Sequence, residues 1–236
     1  MKPFFTYYGG KFRAAPSYPR PRYPTIIEPF AGSAGYALRY PDLKVRLIDA
    51  DETIIALWQY LIRVSASEIR ALPSRIAHVD EIPGPSEARS LVGFWLNKGS
   101  AIPCKTPSAW MRSGIRPKSH WGDEIKERVA SQVDCIRHWK AYLASYEVIP
   151  NGVATWFIDP PYQRQGRHYR RNLVDYVHLE TWCKSREGQV IVCENEGATW
   201  LPFQPHAVIK GTEGRKRSGR SAEVMWEQIG DRNELA

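Results

Sequence analysis

Asp159-Pro160-Pro161-Tyr162 ends an apolar run, WFI, with a carboxylate, two prolines and an aromatic ring. Neither proline has an N–H to donate, so an interior strand cannot continue through them and the chain must leave a sheet there. The residue types suit one chemistry in particular. The exocyclic amine of a nucleobase is a poor nucleophile because its lone pair is delocalised into the ring. Two acceptors that take both of its N–H groups favour the pyramidal, nucleophilic form. Asp159 and the carbonyl of Pro160 supply such a pair, and the prolines hold that carbonyl in a rigid turn, which is electrostatic preorganisation. Tyr162 offers a face on which a base taken out of its duplex can stack. The bland reading is a Pro-Pro turn that closes a strand.

Two further stretches carry ligand-binding residue types. EPFAGSAG, from Glu28 to Gly35, is a glycine-rich turn between a β-branched run and a short helical one, and Gly32 and Gly35 allow close backbone approach. It lacks both the GxGxxG spacing and the Lys-Ser/Thr ending of a phosphate-cradling loop. About 20 residues after the turn begins, the run KVRLIDAD ends on Asp49, an acid placed to accept from both hydroxyls of a ribose. Turn plus acid points to a nucleoside-containing cofactor without saying which. YYGGK places Tyr7, Gly9 and Lys11 on a glycine turn near the N-terminus, a weak signal by itself.

The elements around these residues read as alternating strands and helices. Thr25–Ile27 and KVRLIDAD are strands, a helix is expected from about Ala34 to Arg39, and ETIIALWQYLIRV is a helix with Ile55, Trp58 and Ile62 on one face. That βαβα pattern predicts an α/β fold with an open, mostly parallel sheet. ATWFIDPPY, GQVIVCEN and AEVMWEQI read as later strands. Residues 65–150 show no strong strand pattern. Ser65 or Ser67 caps a helix there, and EIKERVASQVDCIRHWKAYLASY reads as one amphipathic helix with Ile125, Val129, Val133, Ile136 and Trp139 on its stripe. The expected organisation is a core of residues 1–64 and 151–236 interrupted by a mainly helical insertion, 65–150.

Bulk properties narrow the partners. The chain has 236 residues, 43% hydrophobic, with a formal net charge of +8, a balance that favours an anionic partner such as nucleic acid. Candidate DNA contacts are Arg112, Arg116 and Lys118 in the insertion; Arg164, Arg167, Arg170 and Arg171 directly after DPPY; and Arg215, Lys216 and Arg217 in a Gly-rich basic loop. The four cysteines form no CxxC pair and fit no zinc spacing, so free thiols in a reducing cytosol and no metal are expected. No apolar stretch is long enough to cross a membrane and the N-terminal apolar run is too short for a signal peptide, so a cytosolic protein is expected. Glu194 and Asn195 end a strand at the ligand-binding edge of such a sheet and either line the pocket or cap a helix. His138 reads as structural.

Taken in order, YYGGK, EPFAGSAG, LIDAD, a long insertion and DPPY resemble the S-adenosylmethionine-dependent DNA adenine-N6 methyltransferases, in particular the Dam-like group, in an orphan, phage-type form without a paired nuclease. The resemblance implies a Rossmann-like methyltransferase core with a helical target-recognition region. It implies that S-adenosylmethionine is held by Tyr7, Gly9, Lys11, Glu28, Pro29, Phe30, Ala31, Gly32, Ser33, Gly35, Asp49 and Asp159. It assigns catalysis to Asp159, Pro160, Pro161 and Tyr162, on an adenine flipped from double-stranded DNA, without a metal, in a monomer or a dimer. The same amine chemistry suits cytosine N4, although an aspartate at the head of the tetrapeptide favours adenine within such families. RNA or protein-glutamine methylation, and a DNA-binding protein that has lost catalysis, are the more distant readings.

Overall fold

The computed structural model describes residues 1–97, 99–114, 119–163, 174–210 and 220–230. Its frame is a seven-stranded sheet of β1 (Thr25–Glu28), β2 (Lys44–Asp49), β3 (Lys140–Leu143), β4 (Ala154–Ile158), β5 (Gly188–Asn195), β6 (Gln204–Lys210) and β7 (Arg220–Gly230), in the order β3-β2-β1-β4-β5-β7-β6. The first five strands run parallel, whereas β7 is antiparallel to both β5 and β6. The fold is therefore α/β with a mixed, mostly parallel sheet, as the strand–helix alternation predicts.

Central parallel strands are covered on both faces, which is why they read as unbroken apolar runs. Every residue of β4 and of β5 is buried. The period of two distributes them cleanly: Ile26, Phe157, Ile191 and Cys193 join one core, while Ile27, Trp156, Ile158, Val190 and Val192 join the other.

Helix α1 (Glu52–Arg63) starts at Asp51, whose side chain accepts the Thr53 N–H, and buries Ile55 and Trp58 as expected, with Ile62 partly buried. The following segment holds α2 (Ala66–Ala71), α3 (Ser86–Leu96), α4 (Ala109–Arg112) and α5 (Asp123–Ala130). Ser65 does cap α2, in a reciprocal box with Glu68. These helices form no separate lobe. Leu91 and Phe94 of α3 and Ile125 and Val129 of α5 share one core with Phe4, Phe5, Trp58 and the sheet residues Ile26, Leu47 and Phe157.

The structure corrects the single long helix expected after Asp123. The stripe Ile125, Val129, Val133, Ile136 and Trp139 is buried, but α5 stops at Ala130, a 3-10 turn covers Val133–Ile136, and β3 begins at Lys140. Residues three apart eclipse on a 3-10 turn, so the apolar stripe continues without an α-helix. The Arg137 guanidinium donates to the Ile62 and Val64 carbonyls at the end of α1, and the Trp139 indole donates to Pro41 O, which bring the chain to the sheet edge. The stretch 65–150, expected to be helical, thus contributes a strand to the sheet: β3 pairs with β2, from Arg46 with Lys140 through Asp49 with Leu143. The helix expected from Ala34 is also shorter, a 3-10 turn at Ala37–Arg39, because Ala34 has a left-handed φ of 51°. Strand β6 and helix α6 (Tyr176–Lys184), capped by Asp175, complete the described chain.

Candidate active site

From β1 the chain winds outward to β2 and β3. From β4 it winds the other way, to β5. Strands β1 and β4 are neighbours, with Ile26 opposite Thr155 and Ile27 opposite Trp156. The winding direction therefore reverses between them, and the turns that leave their carboxyl ends must part around a crevice, the place where open α/β sheets bind ligands. The turn leaving β1 is EPFAGSAG, and the turn leaving β4 is DPPY. Two motifs about 130 residues apart in the chain are brought together by that one topological feature.

The EPFAGSAG turn is tightly held. Ala31 N–H donates to Ile48 O at 3.0 Å, Gly32 N–H donates to Asp49 Oδ2 at 3.0 Å, and the Trp58 indole donates to Gly32 O at 2.8 Å. Gly35 has no room for a side chain, since a Cβ there would lie 2.5 Å from the Phe12 nitrogen. The turn and the YYGGK segment are thus interlocked: Gly32, at φ 44°, lies under the Tyr7 ring, and Gly35 lies against the Lys11–Phe12 backbone. Asp49 accepts from Gly32 N–H and, through Oδ1, from Asp51 N–H at 2.9 Å. Burial pushes Asp49 up to about 6 against hydrogen bonds from the Asp51, Gly32 and Ala50 backbone. A carboxylate has about four acceptor sites, so Asp49 can still accept from a ligand hydroxyl. Glu28, 2% exposed, accepts the Ala37 N–H at 2.7 Å, and burial pushes its carboxyl up to about 8.

Lys11 is 5% exposed, and its ammonium is the centre of the site. It donates to Gly9 O at 2.9 Å, pairs with Asp159 Oδ1 at 3.0 Å, and stands 3.9 Å from Glu223 Oε1. It also lies 4.7 Å from the centre of the Tyr162 ring, a cation–π distance. Burial opposes its charge, but the carboxylates of Asp159 and Glu223 and the Tyr162 side chain hold Lys11 well above the ordinary lysine range. Burial pushes Asp159 up to about 6, with Lys11 pulling against it and Glu223 adding to the rise. At neutral pH Asp159 is chiefly an acceptor. Pro160 and Pro161 are buried, and the Tyr176 hydroxyl donates to the Pro161 carbonyl. Glu194 neither caps a helix nor stands in the cleft lining. Its carboxylate accepts from Gln163 N–H at 3.0 Å and from the Trp200 indole at 3.1 Å, so it braces the chain just after DPPY. His138 bonds Leu43 O at the surface.

The cleft spans about 980 Å³ including its open mouth, and its lining contains Tyr7, Gly9, Lys11, Glu28, Pro29, Phe30, Ala31, Gly32, Ser33, Gly35, Asp49, Asp159 and Pro161. Every expected cofactor residue is therefore in one place. Of the expected catalytic residues, Pro160 and Tyr162 adjoin this lining without forming part of it. Four groups escaped the sequence reading. Tyr146 and Glu147 line the cleft from the segment after β3, Asp175 from the cap of α6, and Glu223 of β7 meets Lys11 from below the tetrapeptide. The first two follow a strand whose exposed, short sequence hides it. Glu223 did leave a signal, an acid within the otherwise strand-like AEVMWEQI. Among the described residues the lining holds six carboxyl groups, on Glu28, Asp49, Asp51, Glu147, Asp159 and Asp175, against one ammonium.

Among the ten expected DNA contacts the structure describes Arg112, exposed at the end of α4. Arg116, Lys118, Arg164, Arg167, Arg170, Arg171, Arg215, Lys216 and Arg217 lie outside the described residues. Among the described residues no group of three His, Cys, Asp or Glu side chains is placed to hold a metal ion, and no helix is long and apolar enough to cross a membrane. Cys183 and Cys193 are buried free thiols.

No protein-family model matches the chain, and no curated protein matches it in sequence. Among solved structures, a conserved hypothetical protein of Streptococcus pyogenes aligns over 85% of this chain and 83% of that one, at 12% identity and a TM-score of 0.36. A likeness that distant says nothing about activity.

Proposed function

We propose that this chain is a DNA methyltransferase that transfers a methyl group from S-adenosylmethionine to N6 of an adenine flipped out of duplex DNA. The observation that carries the reading is the meeting of EPFAGSAG and DPPY at the switch point between β1 and β4, in a cleft lined by carboxyl groups.

The lining fits the cofactor. Among the described lining residues Glu28 is held neutral and Asp159 is paired with Lys11, which leaves Asp49, Asp51, Glu147 and Asp175 as acids that disfavour the phosphates of a nucleotide diphosphate. A nucleoside that carries a positive sulfonium suits it, with Asp49 placed to accept from ribose hydroxyls. When bound, S-adenosylmethionine would supply an electrophilic methyl on a good leaving group, so no metal is required. The chain's own residues do the rest. Asp159 and the Pro160 carbonyl accept the two N–H groups of the amine and favour its nucleophilic form. A base stacks on the Tyr162 face opposite Lys11. The braced Pro-Pro turn keeps these acceptors in place, and positioning two reactants accounts for most of the rate. Asp159 need not be a strong base, because the proton leaves after the methyl has moved.

DNA is the partner that the charge distribution favours. The chain is net positive while the cleft is acidic, so the cationic excess lies outside the cleft. The helical region built on α2–α5 is the proposed target-recognition element, with exposed Trp110 and Arg112 on α4. The test of the site is Asp159→Ala. It should abolish methyl transfer while cofactor binding, measured by calorimetry, is weakened but retained through the EPFAGSAG turn and Asp49. Near-normal transfer by that variant would remove Asp159 from the chemistry.

A further inference from the structure

Lys11 is paired with the carboxylate that the amine needs. Its ammonium sits 3.0 Å from Asp159 Oδ1. An amine that takes Oδ1 displaces the ammonium, and a buried ammonium that loses its carboxylate is strongly unfavourable. A second carboxylate is already within reach, because Glu223 Oε1 lies 3.9 Å from the same nitrogen. We propose that Glu223 is a second anchor for Lys11, to which the ammonium passes when the substrate amine takes its place on Asp159. The role in catalysis rests on the methyl-transfer reading; the existence of two anchors does not.

The geometry supports the exchange. Glu223 is 7% exposed and fixed from two sides: the Tyr18 hydroxyl donates to Oε2, and the Tyr162 hydroxyl stands 3.5 Å from Oε1. Closing its separation from Lys11 to an ordinary ion-pair distance takes a shift of about 1 Å, within the freedom of a lysine side chain. Gly9 O, at 2.9 Å, serves as the pivot that need not be released. Lys11 also lies over Tyr162, the ring that bonds Glu223, so the motion leaves that face covered. Glu223 is therefore a positioning residue that acts through Lys11. The other described groups facing Asp159 are Glu28 from β1, Cys193 and Glu194 from β5, and Tyr162; of these Tyr162 meets Lys11 through its ring, and the two carboxylates within ion-pair reach of Lys11 are Asp159 and Glu223.

Two measurements test it. The first needs no activity: thermal unfolding of wild type, Asp159→Asn, Glu223→Gln and the double variant. If either carboxyl can hold Lys11, the double variant loses more Tm than the two single variants together. Additive losses would overturn the proposal. The second is steady-state methyl transfer to unmethylated DNA across pH. Glu223→Gln should lower kcat by about 10- to 100-fold with cofactor affinity unchanged. Its acid limb should also move to lower pH, because Glu223 no longer raises Asp159. Glu223→Asp should restore part of the rate, and it serves as the charged control if the amide variant folds poorly. Wild-type kcat and an unmoved acid limb in Glu223→Gln would also overturn it. If the wild type transfers methyl to nothing, the methyl-transfer reading fails, and the unfolding cycle still decides whether Lys11 has two anchors.

Discussion

Glu28→Gln should make the protein more stable, and only above a definite pH. Glu28 is the last residue of β1, 2% exposed, with its carboxyl pushed from an ordinary 4.5 up to about 8 by burial, to which the Asp159 charge adds. Between those two values the folded protein holds a proton that the unfolded chain has released. Stability is therefore full below pH 4.5 and falls as pH rises through the window, by about 1.4 kcal/mol per pH unit. At pH 7 the cost amounts to about 3 kcal/mol, a sizeable share of a typical domain's stability. Glutamine keeps the shape and the acceptor for the Ala37 N–H, and it has no charge to desolvate. Urea unfolding of wild type and Glu28→Gln at intervals from pH 4.5 to 8 is the assay, and the contributions of groups not coupled to Glu28 cancel in the difference. The two proteins should coincide near pH 4.5 and diverge steadily, with the variant about 3 kcal/mol more stable at pH 7. A difference that does not change with pH would refute the reasoning. A wild type that is the more stable at pH 7 would mean that Glu28 is ionised and paired in the folded state.

Other outcomes follow from single contacts. Gly35→Ala should cost about 1–3 kcal/mol and weaken cofactor binding with it, because the new methyl meets the Phe12 and Lys11 backbone rather than a flexible side chain; denaturant melts paired with calorimetry check both effects. Tyr176→Phe removes the hydroxyl that donates to the Pro161 carbonyl, and should cost about 1 kcal/mol in stability while lowering kcat more than it raises KM for DNA. DNA affinity should fall steeply and linearly in log–log form with added salt, as for a protein that neutralises several phosphates; a flat dependence would remove the basic segments from the interface.

The sheet was legible where burial writes an unbroken apolar run. ATWFI and GQVIVCEN are covered on both faces, and their sequences say so. Edge strands leave weaker marks. Lys140–Leu143 pairs on one side, is mostly exposed, and follows a helical stripe, so nothing in KAYL separates it from the amphipathic pattern before it. Strand β6 contains a proline and a register shift at Pro205/Ala207, so its sequence carries no clean strand signal. The site was legible in its two turns, because their glycines and prolines answer backbone demands that are local. What stayed hidden was brought in by topology. Tyr18 sits in a Pro- and Arg-rich stretch and Glu223 in the last strand, and only the pairing of β5 with β7 carries Glu223 to Lys11. The reversal of winding at β1 and β4 is likewise a property of strand order, which no spacing in the sequence states.

The central claim is methyl transfer to an adenine amine, and product analysis reaches it most directly. The protein is incubated with unmethylated genomic DNA and methyl-labelled S-adenosylmethionine, the DNA is digested to nucleosides, and the labelled nucleoside is identified. Label in N6-methyladenosine from the wild type, and none from Asp159→Ala, is the expected result. Label in N4-methylcytosine would keep the amine chemistry and correct the base. No label in any nucleoside, from a protein that still binds the cofactor, would contradict the account.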